Sequence, residues 1–443
     1  MTPTDITSRR SFLKTSATVA ATIAAPAFVR GRNLNSKLQF AGIGADGKGF
    51  SDIIEITSHK KLHSVAFCDV DLSRTAKVRK KVPTARIFQD YREMFEKMGD
   101  KIDAVTVSTP DHTHAIISLD AMRRGKHVYC QKPLTRTVWE ARQMRLQAKK
   151  SGVITRMGNQ IHSHTAYRTA VKLVQSGAVG KIKAVHSWVG TTGHGRSALL
   201  NRPTKDEPTP DGLNWDLWVS VAAMRPYGGN RVYHPFTWRD WQDFGSGAIG
   251  DFGCHLLDPI YTALKIAGDP ISVMSEHTGM NDEVWPAQET LQYVVPGTEF
   301  TAGKTLPISW YDGGRQPNSR IAQLAPGQVL PSGGSILVGE GANLIVPHVG
   351  IPFVNKPNFK IEPEEGLNHY HGWVDGCLSG RQPSDGFEYG GHLTEAVQLG
   401  NVAAFFPKQK LMFDGKALKI TNLPEANKHL TRVYRKGFEI KSV

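Results

Sequence analysis

Two short stretches of the chain contain side chains that could transfer a proton or stabilise a charge. The stretch "DFGCH" places Asp251 and His255 four residues apart, on one face if a helix has begun by Asp251. Histidine titrates close to neutral pH, so His255 could accept a proton. Pro259 cannot donate a hydrogen bond to the carbonyl of residue 255, which predicts an irregular first turn or a later helix start. A lone histidine at such a position is often structural, so the spacing by itself leaves both interpretations open.

The second stretch is "KHVYCQKPLT", in which Lys132 directly follows a predicted strand and Pro133 fixes the turn behind it. An ammonium group at the end of a strand can stabilise negative charge that develops on a substrate oxygen. Lys132 is far from Asp251 and His255 in the sequence, so the fold must bring these side chains together.

The first element that could position them is a glycine-rich turn after a short strand. Leu38 to Ala41 form the predicted strand, and Gly42, Gly44 and Gly47 follow in G-x-G-x-x-G spacing before a helix-like segment. Such glycines allow a tight turn, close approach of the backbone to a pyrophosphate, and close packing of helix on strand. The phosphates would lie at the N-terminus of the helix.

An acidic residue at the end of the next strand supports a dinucleotide site. The strand "SVAFCD" ends at Asp69, 22 residues after Gly47, where a carboxylate can accept hydrogen bonds from the adenosine ribose. Because a carboxylate disfavours a 2'-phosphate, NAD is predicted as the cofactor. Arg74 and Lys77 lie close enough in the sequence to leave NADP open.

The alternation of apolar runs and helical periods predicts an α/β fold with a doubly wound parallel sheet of the Rossmann type. Residues 37–155 form the predicted NAD-binding domain. A strand from Ala104 to Ser108 leads into Thr109 and Pro110 at the carboxyl end of the sheet, where ligands bind in such folds.

Two histidines follow this strand. His112 and His114 are expected to face the cofactor cleft or to cap a helix that runs from Ala115 to Arg124. As an H-x-H pair they lack a convincing third ligand, so no metal site is predicted.

The N-terminus has the features of an export signal. Arg9 and Arg10 precede the uncharged run "ATVAATIAAPAFV", whose small residues predict cleavage after Ala27. Residues 1–27 are therefore predicted to be a twin-arginine signal peptide, recognised by the twin-arginine export machinery. The mature protein is expected to be periplasmic or extracellular. Because this route carries folded proteins, the nucleotide would be loaded in the cytoplasm.

Composition limits the possible partners. The formal net charge is +14, but Lys and Arg are scattered and no RNA-binding motif occurs, so no nucleic acid partner is predicted. No apolar stretch after the leader is long enough to cross a bilayer, so no stable membrane anchor is expected. The four cysteines form no CxxC pair, which predicts buried thiols rather than a disulfide framework.

Taken together, the motifs resemble the Gfo/Idh/MocA family of sugar dehydrogenases and glucose-fructose-oxidoreductase-like enzymes. The likeness covers nearly the whole mature chain. It rests on the glycine turn and on "STPDHTHA", "QKP", "GNQ", "GSGAIGDFGCHLLD" and "LGNVA". It implies a second α+β domain, residues 156–443, with a large, mostly antiparallel sheet whose open face builds a homo-oligomer, a dimer or tetramer.

The resemblance also implies the residues of the site. The catalytic residues would be Lys132, Asp251 and His255. The cofactor would be bound by Gly42, Gly44, Gly47, Asp69, Thr109, Pro110, His114, Gln131, Lys132 and Asn159.

Two residues depart from the pattern of the family. The family usually has Glu before the Lys-Pro pair, and Gln131 stands there instead, which removes a negative charge near the nicotinamide ribose. Asp46 occupies a place in the glycine turn often held by Gly or Arg, and its carboxylate is expected to turn outward.

The activity that the resemblance implies is NAD(P)-dependent oxidoreduction at a secondary hydroxyl of a sugar or glycoside, with tightly retained nucleotide. His255 would take the hydroxyl proton and Lys132 would stabilise the developing oxyanion. Asp251 would hold a substrate hydroxyl or orient the imidazole. Of the aromatic residues in the segment 188–241, one or two are expected to contact the sugar.

Two alternatives stay open at this point. The first is an NAD-dependent glycoside hydrolase that works by transient oxidation and elimination. It needs a second base, for which Tyr233, His234 and His164 are candidates. The second alternative is a nucleotide-binding protein that keeps the fold without turnover.

Overall fold

The first six strands form a parallel sheet made of buried apolar runs. The computed structural model describes residues 37–190 and 201–443, and the predicted signal peptide lies outside them. The strands are β1 (Leu38–Ile43), β2 (Leu62–Cys68), β3 (Arg86–Phe88), β4 (Ala104–Val107), β5 (His127–Gln131) and β6 (Thr155–Gly158). Their order is β3-β2-β1-β4-β5-β6, which confirms the predicted doubly wound sheet of the Rossmann type.

Five helices connect these strands. They are α1 (Lys48–Thr57), α2 (Ala76–Lys81), α3 (Tyr91–Met98), α4 (Asp111–Arg123) and α5 (Val138–Ser151). Helix α4 begins four residues before the predicted start, because extended Pro110 directly precedes its first turn. His112 and His114 therefore lie within α4 and do not cap it.

Among the described residues, the second sheet has nine strands, and its neighbouring strands are antiparallel except for one pair. Its strands are β7 (Ile182–Trp188), β8 (Ser272–Thr278), β9 (Gln288–Pro296), β10 (Thr305–Tyr311), β11 (Gly334–Gly339), β12 (Asn343–Pro347), β13 (Phe353–Val354), β14 (Leu411–Asp414) and β15 (Lys419–Ile420). Only β10 and β7 run parallel. The order β13-β12-β11-β7-β10-β9-β8-β14-β15 confirms the predicted large, mostly antiparallel sheet.

Within the described part of residues 156–443, which we call the second part of the chain, there are five further helices. They are α6 (Thr165–Gln175), α7 (Trp215–Val219), α8 (Gly247–Leu264), α9 (His369–Ser379) and α10 (Phe387–Ala404). Helix α8 begins four residues before Asp251 and continues through Pro259, so the expectation of a later start was wrong. It packs between α6 and α10, and this packing outweighs the hydrogen bond that Pro259 cannot donate.

Helix α10 joins the two sheets. It packs on α5 of the first part and on α8 of the second. The buried carboxylate of Glu395 accepts hydrogen bonds from Arg142 Nη2 at 2.7 Å and Arg145 Nη1 at 2.9 Å. These charge-assisted bonds hold α10 against α5, and α10 in turn packs on α8, which carries Asp251 and His255.

Two further observations concern the side chains and the helices. The four cysteines are free thiols, of which Cys68, Cys130 and Cys254 are buried and Cys377 is half-buried. Among the described residues, no helix is both long enough and apolar enough to cross a bilayer.

Candidate active site

A cavity of about 670 Å³ lies where the carboxyl ends of β1, β2, β4 and β5 face helix α8. All but two of the predicted site residues line it: Gly44, Gly47, Asp69, Thr109, Pro110, His114, Gln131, Lys132, Asp251 and His255. The exceptions are Gly42 and Asn159. The proton-transfer groups and the predicted nucleotide-binding residues therefore share one cavity.

The glycine turn brings backbone close to this cavity. Gly44 has a φ of +87°, and a Cβ there would lie 2.4 Å from the carbonyl oxygen of Ser108, so only glycine fits. Gly47 precedes α1, and no side chain caps the first turn of that helix. Its first N–H groups are thus available to an anion such as a pyrophosphate.

Gly42 lies beneath the glycine turn, in contact with the helix that follows it. It lies within β1 and outside the cavity wall, and a Cβ at this position would come within 2.7 Å of Ile53 Cδ1. Its small size therefore lets α1 pack closely on β1, and it makes no contact with the cavity.

The end of β2 carries the carboxylate expected to meet the adenosine ribose. Asp69 accepts hydrogen bonds from the backbone N–H of Ala45 at 2.8 Å and of Asp71 at 3.0 Å. Burial raises the pKa of Asp69 to about 6, so the group is mainly ionised at neutral pH. These two bonds hold the carboxylate in place beside the glycine turn.

The Asp46 carboxylate forms ion pairs with two cationic side chains that could otherwise attract a 2'-phosphate. Its carboxylate lies 2.8 Å from Lys77 Nζ and 3.1 Å from Arg74 Nη2. Burial opposes its ionisation, but Lys77, the Gly47 N–H and Arg74 together hold its pKa below the usual value. The ion pairs explain how an acidic residue fits in the glycine turn, and they favour NAD over NADP.

The departure at Gln131 is compensated by a second carboxylate. Gln131 Nε2 donates to Asp52 Oδ2 at 2.8 Å, and Ser108 Oγ donates to the same oxygen at 2.8 Å. Asp52 is fully buried and also pairs with Lys48. Because a glutamate at position 131 would face this carboxylate, the neutral amide avoids repulsion between two buried charges.

Lys132 and Asp251 form an ion pair across the cavity wall. Lys132 Nζ lies 2.7 Å from Asp251 Oδ1, and Arg239 Nε lies 3.7 Å from the same oxygen. Only about a seventh of each pair member's side chain is exposed, 14% for Lys132 and 15% for Asp251. The ammonium is therefore held at the cavity by its partner and can donate a further hydrogen bond to a substrate oxygen.

His255 is fixed in one tautomer by Asn159. Asn159 Nδ2 donates to the carbonyl of Cys254 at 2.9 Å, which leaves its Oδ1 to face His255 Nδ1. Since Oδ1 can only accept, Nδ1 carries the proton and Nε2 keeps its lone pair. Burial, Lys132 and His348 hold the pKa of His255 well below its usual value. The imidazole is thus neutral at neutral pH, as a general base must be.

Asn159 was predicted to bind the cofactor, and the structure places it behind His255 instead. Replacing Asn159 with alanine should free the imidazole to rotate or change tautomer. We expect kcat to fall about 100-fold, the cost of a misplaced catalytic group, with the dissociation constant for NAD nearly unchanged. Steady-state kinetics and NAD titration of Asn159→Ala test this. A loss of NAD affinity at unchanged kcat would instead restore the role predicted from the sequence.

His114 lines the cavity but is occupied by backbone. Its two ring nitrogens lie 2.9 Å from the Pro133 carbonyl and 2.7 Å from the Thr109 carbonyl. Since both partners only accept, His114 donates from both nitrogens. Its pKa is raised although burial opposes this. His114 therefore ties the turn after β4 to the turn after β5, and so holds Lys132 in position.

The candidates for a second base differ in position. Tyr233 is buried in an aromatic core cluster, and His164 is exposed at the start of α6, so neither lines the cavity. His234 does line the cavity and lies 3.0 Å from Asp71 Oδ2.

Sequence reasoning missed Asp111, the first residue of α4. Its side chain is buried and lines the same cavity as Lys132 and Asp251. Burial raises the pKa of Asp111 to about 7 against the opposing effect of Arg239. The signal that could have identified it is its position directly after Pro110, at the carboxyl end of a strand.

The aromatic segment is mainly core. Trp215, Tyr227, Tyr233, Trp241 and Phe244 pack together in one cluster. Trp218 belongs to the same cluster and also lines the cavity, as do Trp238 and Phe236. The cavity therefore offers flat apolar ring surfaces of the kind that pack against sugar C–H groups.

The site combines a doubly wound sheet and a glycine turn with a carboxylate after β2 and a neutral histidine beside a lysine. These features are typical of dinucleotide-dependent oxidoreductases. Residues 38–159 match the model of an oxidoreductase family with an NAD-binding Rossmann fold, and residues 163–293 match the C-terminal alpha/beta domain of that family. The chain belongs to the Gfo/Idh/MocA oxidoreductase family. The predicted Rossmann fold and NAD as its cofactor are thereby confirmed.

Relatives agree with this assignment. The chain is 30% identical over 169 residues to levoglucosan dehydrogenase of Pseudarthrobacter phenanthrenivorans. This match covers 38% of this chain and 34% of that protein. It is 27% identical to D-glucoside 3-dehydrogenase of Escherichia coli, over 47% of this chain and 48% of that protein. The matched region thus spans about a third to a half of these relatives.

A solved structure shares the fold. The WlbA dehydrogenase of Bordetella pertussis, in complex with NADH and UDP-GlcNAcA, superposes with a TM-score of 0.61 at 17% identity. The match covers 85% of this chain and 99% of that one.

Proposed function

We propose that this protein is an NAD-dependent oxidoreductase that acts on a secondary hydroxyl of a sugar or glycoside. The observation that carries the proposal is that Lys132 and His255, whose Nε2 keeps its lone pair, line the same cavity as the glycine turn and Asp69. Sugar substrates are supported by the relatives that act on levoglucosan and glucosides.

The residues divide the work of alcohol oxidation. Bound NAD would supply the hydride chemistry. His255 Nε2 accepts the hydroxyl proton, because Asn159 holds the proton of the ring on Nδ1. Lys132 donates to the same substrate oxygen and stabilises it as negative charge develops. Asp251 keeps the ammonium in place, while Trp218 and Trp238 offer faces for the sugar ring.

We also propose that the protein is exported folded by the twin-arginine route to the periplasm or beyond, and that it is a homo-oligomer. A further proposal is that the nucleotide stays bound between turnovers. Retention is supported by the second part of the chain, which covers the nucleotide side of the cavity. The backbone N–H of Asn214 bonds to the carbonyl of Val70, directly after Asp69, at 2.8 Å. Leu217 and Ser220 then line the cavity.

The test uses purified protein without added nucleotide. Addition of a panel of free sugars and glycosides is expected to convert the bound nucleotide to NADH, seen as nicotinamide absorbance, with formation of a keto-sugar whose glycosidic bond is intact. Denaturation of the same protein should release NAD or NADH into solution. Protein that carries no nucleotide and shows no reduction of added NAD by any sugar would contradict the proposal.

One observation favours a second candidate function, redox-neutral glycoside hydrolysis. Asp111 is a buried carboxyl in the cavity, and its pKa of about 7 suits a second proton acceptor. In such a cycle, oxidation at one ring carbon acidifies the neighbouring C–H, and Asp111 takes that proton. The glycosidic bond then breaks with its electron pair on the leaving oxygen, water adds, and the hydride returns to the sugar.

An aryl glycoside in deuterated water separates the two functions. Hydrolysis by this route releases the aglycone and places deuterium on the carbon next to the anomeric carbon. Oxidoreduction leaves the glycosidic bond intact and releases no aglycone.

A further inference from the structure

One segment of the second part, residues 212–221, covers the chain beside Asp69; we call it the covering segment. The N–H of Leu72 donates to the carbonyl of Gly212 at 3.0 Å, and Asn214 donates to Val70 at 2.8 Å. Gln89 Nε2 also donates to the Gly212 carbonyl at 2.8 Å. The covering segment is therefore pinned by backbone bonds where an adenosine ribose would meet Asp69.

These bonds hold one end of the covering segment, and the C-terminal tail holds the other. The tail, residues 431–443, places Arg435 against the end of α7. Arg435 Nε donates to the Ser220 carbonyl at 2.8 Å, and Nη2 donates to the Asp216 carbonyl at 2.7 Å. Its backbone N–H bonds to the Val221 carbonyl at 3.1 Å, and its guanidinium pairs with the Asp216 carboxylate. One arginine thus satisfies several carbonyls at the end of a helix.

The same tail contributes an aromatic ring to the cavity wall. Phe438 is 8% exposed and lines the cavity together with Asp90 and Tyr91, which follow β3. Its ring lies under two guanidinium groups, Arg435 at 4.2 Å and Arg92 at 4.9 Å. Because β3 neighbours β2, and Asp69 directly follows β2, this ring lies on the adenosine side of the cavity.

The tail is anchored on the parallel-sheet part of the chain. Tyr434 Oη donates to Glu140 Oε1 at 3.0 Å, and the N–H of Val443 donates to Gln143 Oε1 at 2.8 Å. Both acceptors lie on α5. The tail therefore contacts α5 at Tyr434 and again at Val443, and Phe438 lies at the cavity between these two contacts.

From these contacts we infer that the C-terminal tail is part of the nucleotide site and controls how slowly nucleotide leaves. Phe438 contacts the adenosine portion, and Arg435 holds the covering segment over it, so release requires the tail to let go. The inference rests on the proposed function in that the cavity holds NAD.

Dissociation of NADH from the full-length protein tests the inference. NADH is loaded, and its release is followed by fluorescence after a chase with excess NAD. Arg435→Ala and Phe438→Ala should each release NADH roughly 10- to 100-fold faster than the wild type, the size expected for the loss of charge-assisted hydrogen bonds or of a buried ring. Arg435→Lys keeps the charge but loses the fork of donors, so its release rate should be intermediate. Val433→Ala is the matched control, because Val433 lies in the same tail and is 93% exposed.

The outcomes distinguish the role of the tail from NADH binding by the cavity. Release rates of Arg435→Ala and Phe438→Ala equal to those of Val433→Ala would overturn the role of the tail while leaving the proposed function intact. Failure of the wild type to bind NADH at all would overturn the proposed function and the inference together. Thermal unfolding of each variant identifies any that has not folded. If a variant has not folded, the release rate of Arg435→Lys is used instead. An increase in that rate supports the inference, and an unchanged rate contradicts it.

Discussion

Replacing Lys132 with alanine is expected to lower the rate of turnover roughly 100- to 1000-fold. Lys132 Nζ is the ammonium that the Asp251 carboxylate holds at the cavity, at 2.7 Å. Without it, charge on the substrate oxygen develops with no positive partner in that position. Arg239 Nε remains 3.7 Å from the Asp251 carboxylate, so that group keeps a cation nearby and the fold should survive.

The measurement is kcat with the best sugar from the substrate panel, together with the dissociation constant for NAD and a thermal unfolding curve. NAD binding and the unfolding temperature are expected to stay close to wild type. Lys97→Ala serves as the control, because Lys97 is exposed on α3 and pairs only with Glu93 among the described residues. Near-normal turnover in Lys132→Ala would place the chemistry elsewhere in the protein.

Replacing His255 with alanine should cost roughly 100- to 10,000-fold in turnover, the range for loss of a general base. The imidazole is neutral because burial, Lys132 and His348 hold its pKa well below the ordinary value. A lowered pKa means that Nε2 loses its lone pair only at acidic pH. The wild-type rate governed by His255 is therefore expected to hold as pH falls through about 6.5, where an ordinary histidine becomes protonated, and to drop only below that.

The pH profile distinguishes this role from a structural one. His255→Ala should lose the acidic limb as well as the rate, whereas a change in packing alone would lower the rate at all pH values and keep the limb. His371→Ala is the control, because His371 bonds to Ser58 Oγ at 2.7 Å and does not line the cavity. An unchanged acidic limb in His255→Ala would assign the proton acceptance to another group, of which Asp111 is the first to test.

The features that sequence predicted correctly are those set by short-range patterns. The parallel sheet follows from apolar runs that alternate with helical periods, because each strand and helix buries its own face. Only helix α1 and strand β2 separate the glycine turn from Asp69, so the two remain close together at the same edge of the folded sheet. Asp251 and His255 lie one helical turn apart, and α8 keeps them on one face.

Local rules failed where packing between distant segments was stronger. Pro259 predicted an irregular first turn or a later helix start, but α8 begins at Gly247 and continues through a buried Pro259, packed between α6 and α10. The predicted start of the helix after β4 was late by four residues, which hid Asp111 within the loop.

The partners of the site residues were decided by tertiary structure alone. Asn159 and His255 are 96 residues apart, Gln131 and Asp52 are 79 apart, and Arg435 and Asp216 are 219 apart. No spacing rule connects such pairs, because each is made by the docking of α8, α1 or the C-terminal tail against another element. The sequence determined which chemical groups this protein carries and which local elements present them. Only the packing of those elements decided that His255 is neutral, that Arg74 and Lys77 pair with Asp46, and that the covering segment and the tail enclose one side of the cavity. The physical reason is that hydrogen bonds and burial depend on distances that exist only in the folded chain.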